Sequence, residues 1–505
     1  MGPSVISPVF LLVLLVLCCI SKINGANILC LFTSPGRSHM IIDMAIAKPL
    51  IDKGHNVTIV TTMDLKDNNP KYNHIFLPPS EKDYAEYHRI LSTAMGQSSL
   101  YDTWRDIFWA NVERVRIQDK AIKHPRFKEF LENPGNKFDV VILGWVFNTY
   151  QLGIAAHFKC PVIVSFHNHP SPLIAGFTGT PSPLATVNCI FSYDLLCFKN
   201  RLRNMFFALL WGAFEEFGEY KMAQYYDEYF SDERYPPYDE MKKNVSLVFC
   251  ASHFVDGRIR ALTPSFIEIG GIQIKEKSDP LPKDVEEFIE TANNGFIFFS
   301  LGTNVKTADI SPNATLAIFK VLSQSKYKVL WKWDDTDPPG KSPNIMFRKW
   351  FPQDDLLANS KLKLFISHAG KGSSVEVQYH GVPMLAIPVY GDQFGNAKEI
   401  AAEGYGVIVN HWNVTEESFR KDFYEILENP KYLKAVRKYS QKYRDRPMSP
   451  RESVVYWTEY VIRHRGAKHM QSPVIHLNFF QKNSLDVLAV LVVVLYVSFV
   501  IIRKI

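Results

Sequence analysis

The chain has 505 residues, 47% of them hydrophobic and 21% charged, with 57 Lys and Arg against 51 Asp and Glu and a formal net charge of +6. That length exceeds one ordinary core, so two domains are expected, and the apolar content excludes a disordered chain. The basic residues are spread without a long run, which excludes the electrostatic footprint of a nucleic-acid-binding protein.

The chain opens on VFLLVLLVLCCI (9–20), an apolar run too short to span a bilayer easily, followed by polar residues and Gly25-Ala26. It reads as a cleaved signal peptide over 1–25, although its first residues carry no positive charge. Cys30, Cys160, Cys189, Cys197 and Cys250 follow, an odd set with neither metal spacing nor a dense disulfide pattern.

From Asn27 the text runs NILCLF, then MIIDMAIAKPLIDKGH with its glycine stop, then NVTIVT, which is a β-α-β unit. DVVILG from Asp139, PVIVSF from Pro161 and LVFCAS from Leu247 extend a parallel sheet buried on both faces, giving a first Rossmann-like, acceptor-side domain over 26–273. Within it, MFFALLWGAF (205–214) reads first as helix core and second as an apolar surface facing an acceptor or a membrane.

The polar, proline-bearing stretch GGIQIKEKSDPLPKD (270–284) marks a linker, set at 274–284. GFIFFSLG, YKVLWKW, LKLFISH, PMLAIP and GVIVN then repeat the pattern of short buried strands separated by helix-sized intervals, a second Rossmann-like domain over 285–470. Two doubly wound α/β domains facing each other place a ligand cleft at the carboxyl ends of their strands.

After a juxtamembrane segment over 471–484, an uncharged run from Val487 to Ile502, followed by Arg503-Lys504, comes close to the ~20 residues a spanning helix needs. A transmembrane helix over 485–502 with a cytosolic tail over 503–505 follows from the positive-inside rule, which makes the chain a single-pass type I membrane protein with both domains lumenal. Asn244, Asn313 and Asn413 begin glycosylation triplets that fit that compartment; Asn56 begins another at a strand start and is discounted.

The segment KWFPQDDLLANSKLKLFISHAGKGSSVEVQYHGVPMLAIPVYGDQFGNA (349–397) closely resembles the signature of the UDP-glycosyltransferases. The likeness extends to SPGRSH near the amino end, FFSLGT before the signature and SPRESVVYWTEYVIRHRGAKH from Ser449, and the terminal anchor matches the membrane-bound animal branch. The resemblance implies a GT-B fold, residence in the endoplasmic reticulum membrane, and inverting transfer of a hexose to small lipophilic acceptors in detoxification or metabolite conjugation. UDP-glucose is the first choice of donor, with glucuronic acid and galactose as alternatives. Homo-oligomerisation is left open.

The resemblance assigns the donor site residue by residue. Trp350 would stack on uracil and Gln353 hydrogen-bond it. His368, Gly370, Gly372 and Ser373 lead into a helix whose free N–H groups can hold a pyrophosphate. Glu376 would accept from the ribose hydroxyls, Asp392 and Gln393 would grip the sugar, and Ser300 and Thr303 would add phosphate contacts. Two departures are Ala369, where the family often has a second glycine, and Gly372, where vertebrate members often have asparagine.

His39 matches the family's general base, a role typically worth ~10²–10⁴-fold. The aspartate that orients it is missing: on the family pattern Gly144 stands there. Asp139 begins its strand and is expected to point elsewhere, while Asp43, one helical turn beyond His39, could approach only if the helix begins early. Gly144→Asp is therefore expected to raise turnover with alcohols if the backbone tolerates a side chain. The alternative is a nucleotide-sugar or lipophile binder that has lost catalysis. The resemblance implies a metal-free mechanism without a cofactor, and WKWDDTDPP reads as a strand entering a proline turn and not as a manganese site on Asp334, Asp335 and Asp337.

Overall fold

The computed structural model describes residues 25–66, 69–95, 100–181, 197–256, 261–303, 305, 310–334 and 337–504. Nearly all of the expected signal peptide, Cys189 and Asp335 lie outside the described residues.

Two parallel sheets form. The first comprises β1 (Asn27–Phe32), β2 (Asn56–Thr61), β3 (Tyr72–Phe76), β4 (Val140–Gly144), β5 (Val162–Phe166), β6 (Val245–Cys250) and β7 (Phe266–Glu268), in the order β3-β2-β1-β4-β5-β6-β7. The second comprises β8 (Phe296–Ser300), β9 (Lys328–Lys332), β10 (Ile345–Arg348), β11 (Leu362–Ser367), β12 (Met384–Ala386) and β13 (Gly406–Ile408), in the order β10-β9-β8-β11-β12-β13. Helices cover both faces of such sheets, so the strands read as apolar runs; every residue of β6 and β8 is buried.

The strand order reverses between β1 and β4 in one sheet and between β8 and β11 in the other. Connections on the two sides of a reversal leave in opposite directions, and a crevice opens at the carboxyl ends of those strands. The helices that follow them are α1 (Arg37–Asp52) after β1 and, in the second sheet, α5 (Lys371–His380) after β11 and α6 (Gln393–Ala402) after β12. Three more helices build the first domain's side of the crevice: α2 (Glu81–Met95), α3 (Leu100–Lys123) and α4 (Phe198–Tyr229). Tyr87 of α2 and Ile117 of α3 are buried among second-domain core residues that include Phe299 and Leu301, so these helices bridge the two domains.

The sequence division at 285–470 does not follow the packing at its far end. Helix α7 (Pro450–His464) begins on a Ser449–Glu452 capping box with proline at its first turn, then lies on α1 and the first sheet. Val454 and Val461 are fully buried with Ile28, Phe32 and Ile46, each worth about 1.5–3 kcal/mol of burial to the first domain. The last helix, α8 (Leu485–Lys504), has 20 residues, a mean hydropathy of 2.9 and no buried side chain, and it fits a membrane anchor.

Candidate active site

One cleft of about 720 Å³ runs between the carboxyl ends of the two sheets. Its first-domain wall begins with His39. Gly36 precedes α1, and a Cβ there would press to 3.1 Å from His39 Nδ1, so the glycine gives the ring room. Ser34 Oγ lies 2.8 Å from that same Nδ1. Because α1 does begin early, at Arg37, Asp43 falls one turn after His39 and is fully buried.

Asp43 reaches a third residue. Its Oδ1 lies 2.6 Å from Nε2 of His167, which follows β5, and the His167 ring stacks on His39 with centroids 4.6 Å apart and planes 5° from parallel. Burial pushes the Asp43 carboxyl above its ordinary range, opposed by His167. Burial, then His167, then Arg114 hold the His39 imidazole well below its ordinary value, so it is neutral at physiological pH. Asp139 points elsewhere, as expected, and accepts from the Asn27 N–H at 2.8 Å.

Trp145, Phe147, Phe166 and Trp211, with Ile41 and Ile42 of α1, form the aromatic and apolar part of this wall, beside the polar Asn111, Arg114, Asn168 and Ser171. Helices α2, α3 and α4 contribute Tyr87, Ala110, Asn111, Arg114, Trp211 and Glu215 to this wall. Of MFFALLWGAF in α4, Trp211 turns to the cleft, whereas Met205, Phe206, Leu209 and Leu210 are exposed. Glu215 is buried beside Trp211, whose Nε1 donates to it at 2.9 Å, and burial pushes its carboxyl up to about 7.

The second-domain wall gathers the residues assigned from the signature. Trp350, half exposed, carries the Arg37 guanidinium 4.4 Å from its ring centroid, a contact between the two domains. Gln353 donates to Ser373 at 3.1 Å and to Glu376. Glu376 is buried, and desolvation pushes its carboxyl up to about 8 against the opposing hydrogen bonds of Gln353 and Gln273. Gln273, from the first domain's last turn, also donates to the Gly372 carbonyl at 3.4 Å.

His368 sits where β11 ends, with burial and then Lys332 pushing its imidazole down to about 4. Two glycines make its place: a Cβ on Gly302 or Gly370 would lie 2.5 Å from the ring. Gly370 is also the N-cap of α5 and offers no side-chain cap to the first N–H groups, a type of terminus that can take an anion. Ala369 adopts φ +60° while fully buried, a left-handed conformation costing an L-residue roughly 1–2 kcal/mol, which is the physical reason a glycine suits this position.

Ser300 is buried and accepts from the Gly302 N–H at 3.3 Å, while Thr303 lines the cleft. Asp392 accepts from Asn396 at 2.8 Å. The Gln393 carbonyl takes the N–H groups of Val389 and Tyr390, so it braces the loop from inside the cleft wall. Asp334 is paired with Lys332 at 2.6 Å. Outside the cleft, Asn313 and Asn413 are exposed and Asn244 is half-buried.

Sequence reasoning missed His167, although a histidine immediately after a central strand of an α/β sheet is itself a signal. It also missed the bridge from Lys371, at the start of α5, to the first domain. That lysine lies 2.8 Å from Asp256 and 3.1 Å from His169, nearly buried.

Two parallel-sheet domains with functional side chains converging at both switch points define a GT-B glycosyltransferase. The fold resembles that of Arabidopsis thaliana UGT89C1 complexed with UDP, with a TM-score of 0.57 and 14% identity over 87% of this chain and 100% of that one. A family model described as UDP-glucoronosyl and UDP-glucosyl transferase matches residues 29–505. UDP-glycosyltransferase UGT5 of Dactylopius coccus is 32% identical over 94% of this chain and 90% of its own length. UDP-glucosyltransferase 2 of the same insect is 31% identical over 94% and 91%, and UDP-glucuronosyltransferase 2B33 of Macaca mulatta is 29% identical over 90% and 88%. The chain belongs to this UDP-glycosyltransferase family and is a transferase that takes a UDP-sugar donor.

Proposed function

We propose that this transferase moves a neutral hexose, glucose first, from UDP to a hydroxyl of a small lipophilic acceptor with inversion at the anomeric carbon. The observation that carries the reading is that one cleft holds His39 beside aromatic walls on one side and Trp350, Gln353, His368 and Glu376 on the other. In this reading the donor's uracil stacks on Trp350 and hydrogen-bonds Gln353, the ribose hydroxyls donate to Glu376, and the diphosphate meets the N-terminus of α5 with Ser300, Thr303, His368, Gly370, Gly372 and Ser373. Asp392 and Gln393 hold the sugar.

A neutral sugar is favoured by the state of the lysines. Lys275, Lys332 and Lys371 line the cleft, and each already faces a carboxylate: Asp279 and Asp355, Asp334, and Asp256 respectively. A glucuronate carboxylate would have to break one of these pairs or turn to Arg114, a cleft-lining cation that hydrogen-bonds Asn111 and Tyr87. The relative named UDP-glucosyltransferase 2 points the same way.

His39, neutral and half-buried, takes the acceptor proton at Nε2 as the acceptor oxygen bonds to the anomeric carbon and the phosphate oxygen leaves with the bonding pair. The leaving charge is met by the dipole and free N–H groups of α5 in place of a divalent ion. The rival reading of a binder without catalysis rested on Gly144, and a carboxylate does stand at that point, supplied by Asp43. With α8 as anchor, both domains lie on the lumenal side of the endoplasmic reticulum membrane.

The test is a screen of radiolabelled UDP-glucose, UDP-galactose and UDP-glucuronic acid on membranes carrying the full chain, with phenol and alcohol acceptors, with and without EDTA. Transfer from UDP-glucose that survives chelation and is lost in His39→Ala is the expected result. Preference for UDP-glucuronic acid would overturn the donor assignment, and loss with EDTA restored by manganese would overturn the metal-free mechanism.

A further inference from the structure

We propose that Asp43, acting through His167, is the positioning carboxylate of the base His39. Helix α1 and the end of β5 would then supply what the family pattern places at residue 144. The inference rests on the reading of His39 as base.

Three observations carry it. First, the space beside Gly144 is filled by a carboxylate from another element: a Cβ on the glycine would stand 3.1 Å from each oxygen of Asp43. Second, Asp43 is fully buried and, among the described residues, faces no lysine or arginine in an ion pair. Its Oδ1 has His167, and its Oδ2 has no hydrogen-bond partner in the structure. A buried carboxylate so sparsely paired lowers stability, and such groups concentrate where charge must be managed during a reaction. Third, the His167 ring that Asp43 holds lies flat against His39, while Ser34 fixes Nδ1 of His39 from the edge. Ring plane and ring rotation are thus both set, and Nε2 is the nitrogen of His39 left for the acceptor.

The charge balance follows. When His39 takes the acceptor proton, the positive charge of the stacked pair is offset by Asp43. Two other groups face this cluster. Arg114 on α3 opposes protonation of His39, and Cys30 on β1 is kept as a neutral thiol by burial and by Asp43. Asp43 is the anion of this cluster: it acts on the Cys30 thiol and is bonded to His167, the ring stacked on His39.

The experiment compares wild type, Asp43→Asn, His167→Phe and His39→Ala, as full-length protein in detergent, with UDP-glucose and two acceptors: 4-nitrophenol and a long-chain aliphatic alcohol. Asn keeps the size of Asp43 without its charge, and Phe keeps the stacked ring without the link to Asp43. Both variants should lose ~100-fold in kcat with the alcohol and less than ~10-fold with the acidic phenol, which needs the base least. KM for UDP-glucose and the affinity for UDP should stay within twofold.

An equal loss with both acceptors, or kcat within twofold of wild type, would show that Asp43 does not serve the base. If Asp43→Asn does not fold, His167→Phe decides by the same ratio. Should wild type transfer to neither acceptor, the reading of His39 as a base fails on its own account; wild-type transfer to both with unaffected variants sinks only the present inference.

Discussion

Gly144 and Asp43 share one small space, in which a Cβ on the glycine would also stand 3.1 Å from Phe32 Cδ1. This changes what Gly144→Asp should do. On the sequence alone that substitution restores a missing carboxylate; in the fold it forces a second one against the first. Overpacking alone costs typically 1–3 kcal/mol, and two carboxylates in contact cannot both ionise. A lower melting temperature is expected, with no gain in alcohol turnover. A variant as stable as wild type and faster with alcohols would show that Asp43 can be displaced.

Glu376 should make the second domain's stability depend on pH. Its carboxyl rises from 4.5 to about 8 on folding, so the folded state binds the proton more tightly than the unfolded chain. The corresponding stability is fully present below about 4.5 and is lost as pH rises through 8, on the order of 3–5 kcal/mol across that window. Ligand-free melting should therefore fall more steeply from pH 5 to 8.5 in wild type than in Glu376→Gln. Ribose hydroxyls donating to the carboxylate favour its ionised form, so UDP should bind more tightly at pH 8 than at pH 7 and release protons on binding, both lost in the variant. Calorimetry in two buffers of different ionisation enthalpy reads both effects.

Gly302→Ala should weaken UDP binding by about tenfold or more without abolishing the fold. The added methyl would meet the His368 ring at 2.5 Å, and the backbone there has φ +82°, so the imidazole must move and the turn is strained. Gly218→Ala, in the interior of α4 with nothing within 4 Å of the new methyl, is the control and should stabilise by roughly 0.5–1 kcal/mol. Equal UDP affinity in Gly302→Ala would separate His368 from the donor site.

The bridge between the domains offers a double-mutant cycle. Lys371→Met strands the buried carboxylate of Asp256, whose Oδ1 already lacks a partner, and should destabilise by about 3–5 kcal/mol. Adding Asp256→Asn removes the stranded charge and should recover most of that loss. Denaturant unfolding of the four proteins measures it. Strictly additive losses would mean that the pair holds nothing together.

Local order was legible in the sequence because it is written over a few residues at a time. Buried parallel strands show as apolar runs, and small residues mark each turn from strand to helix. The residues assigned to the donor from Trp350 to Gln393 lie in one continuous stretch, from the end of β10 to the start of α6, so the assignment could be made from local sequence. What depends on pairing distant segments was not legible. Asp43 and His167 are 124 residues apart and meet only because β1 pairs with β4 and β4 with β5. Helix α7 looked like the end of the second domain but buries its valines in the first, where it packs on α1 and the first sheet. Gly144 shows most clearly what each level decided. The sequence established that no side chain is present there, and only the packing of α1 across β4 determined that a carboxylate fills its place, because burial and close contact belong to the folded chain as a whole.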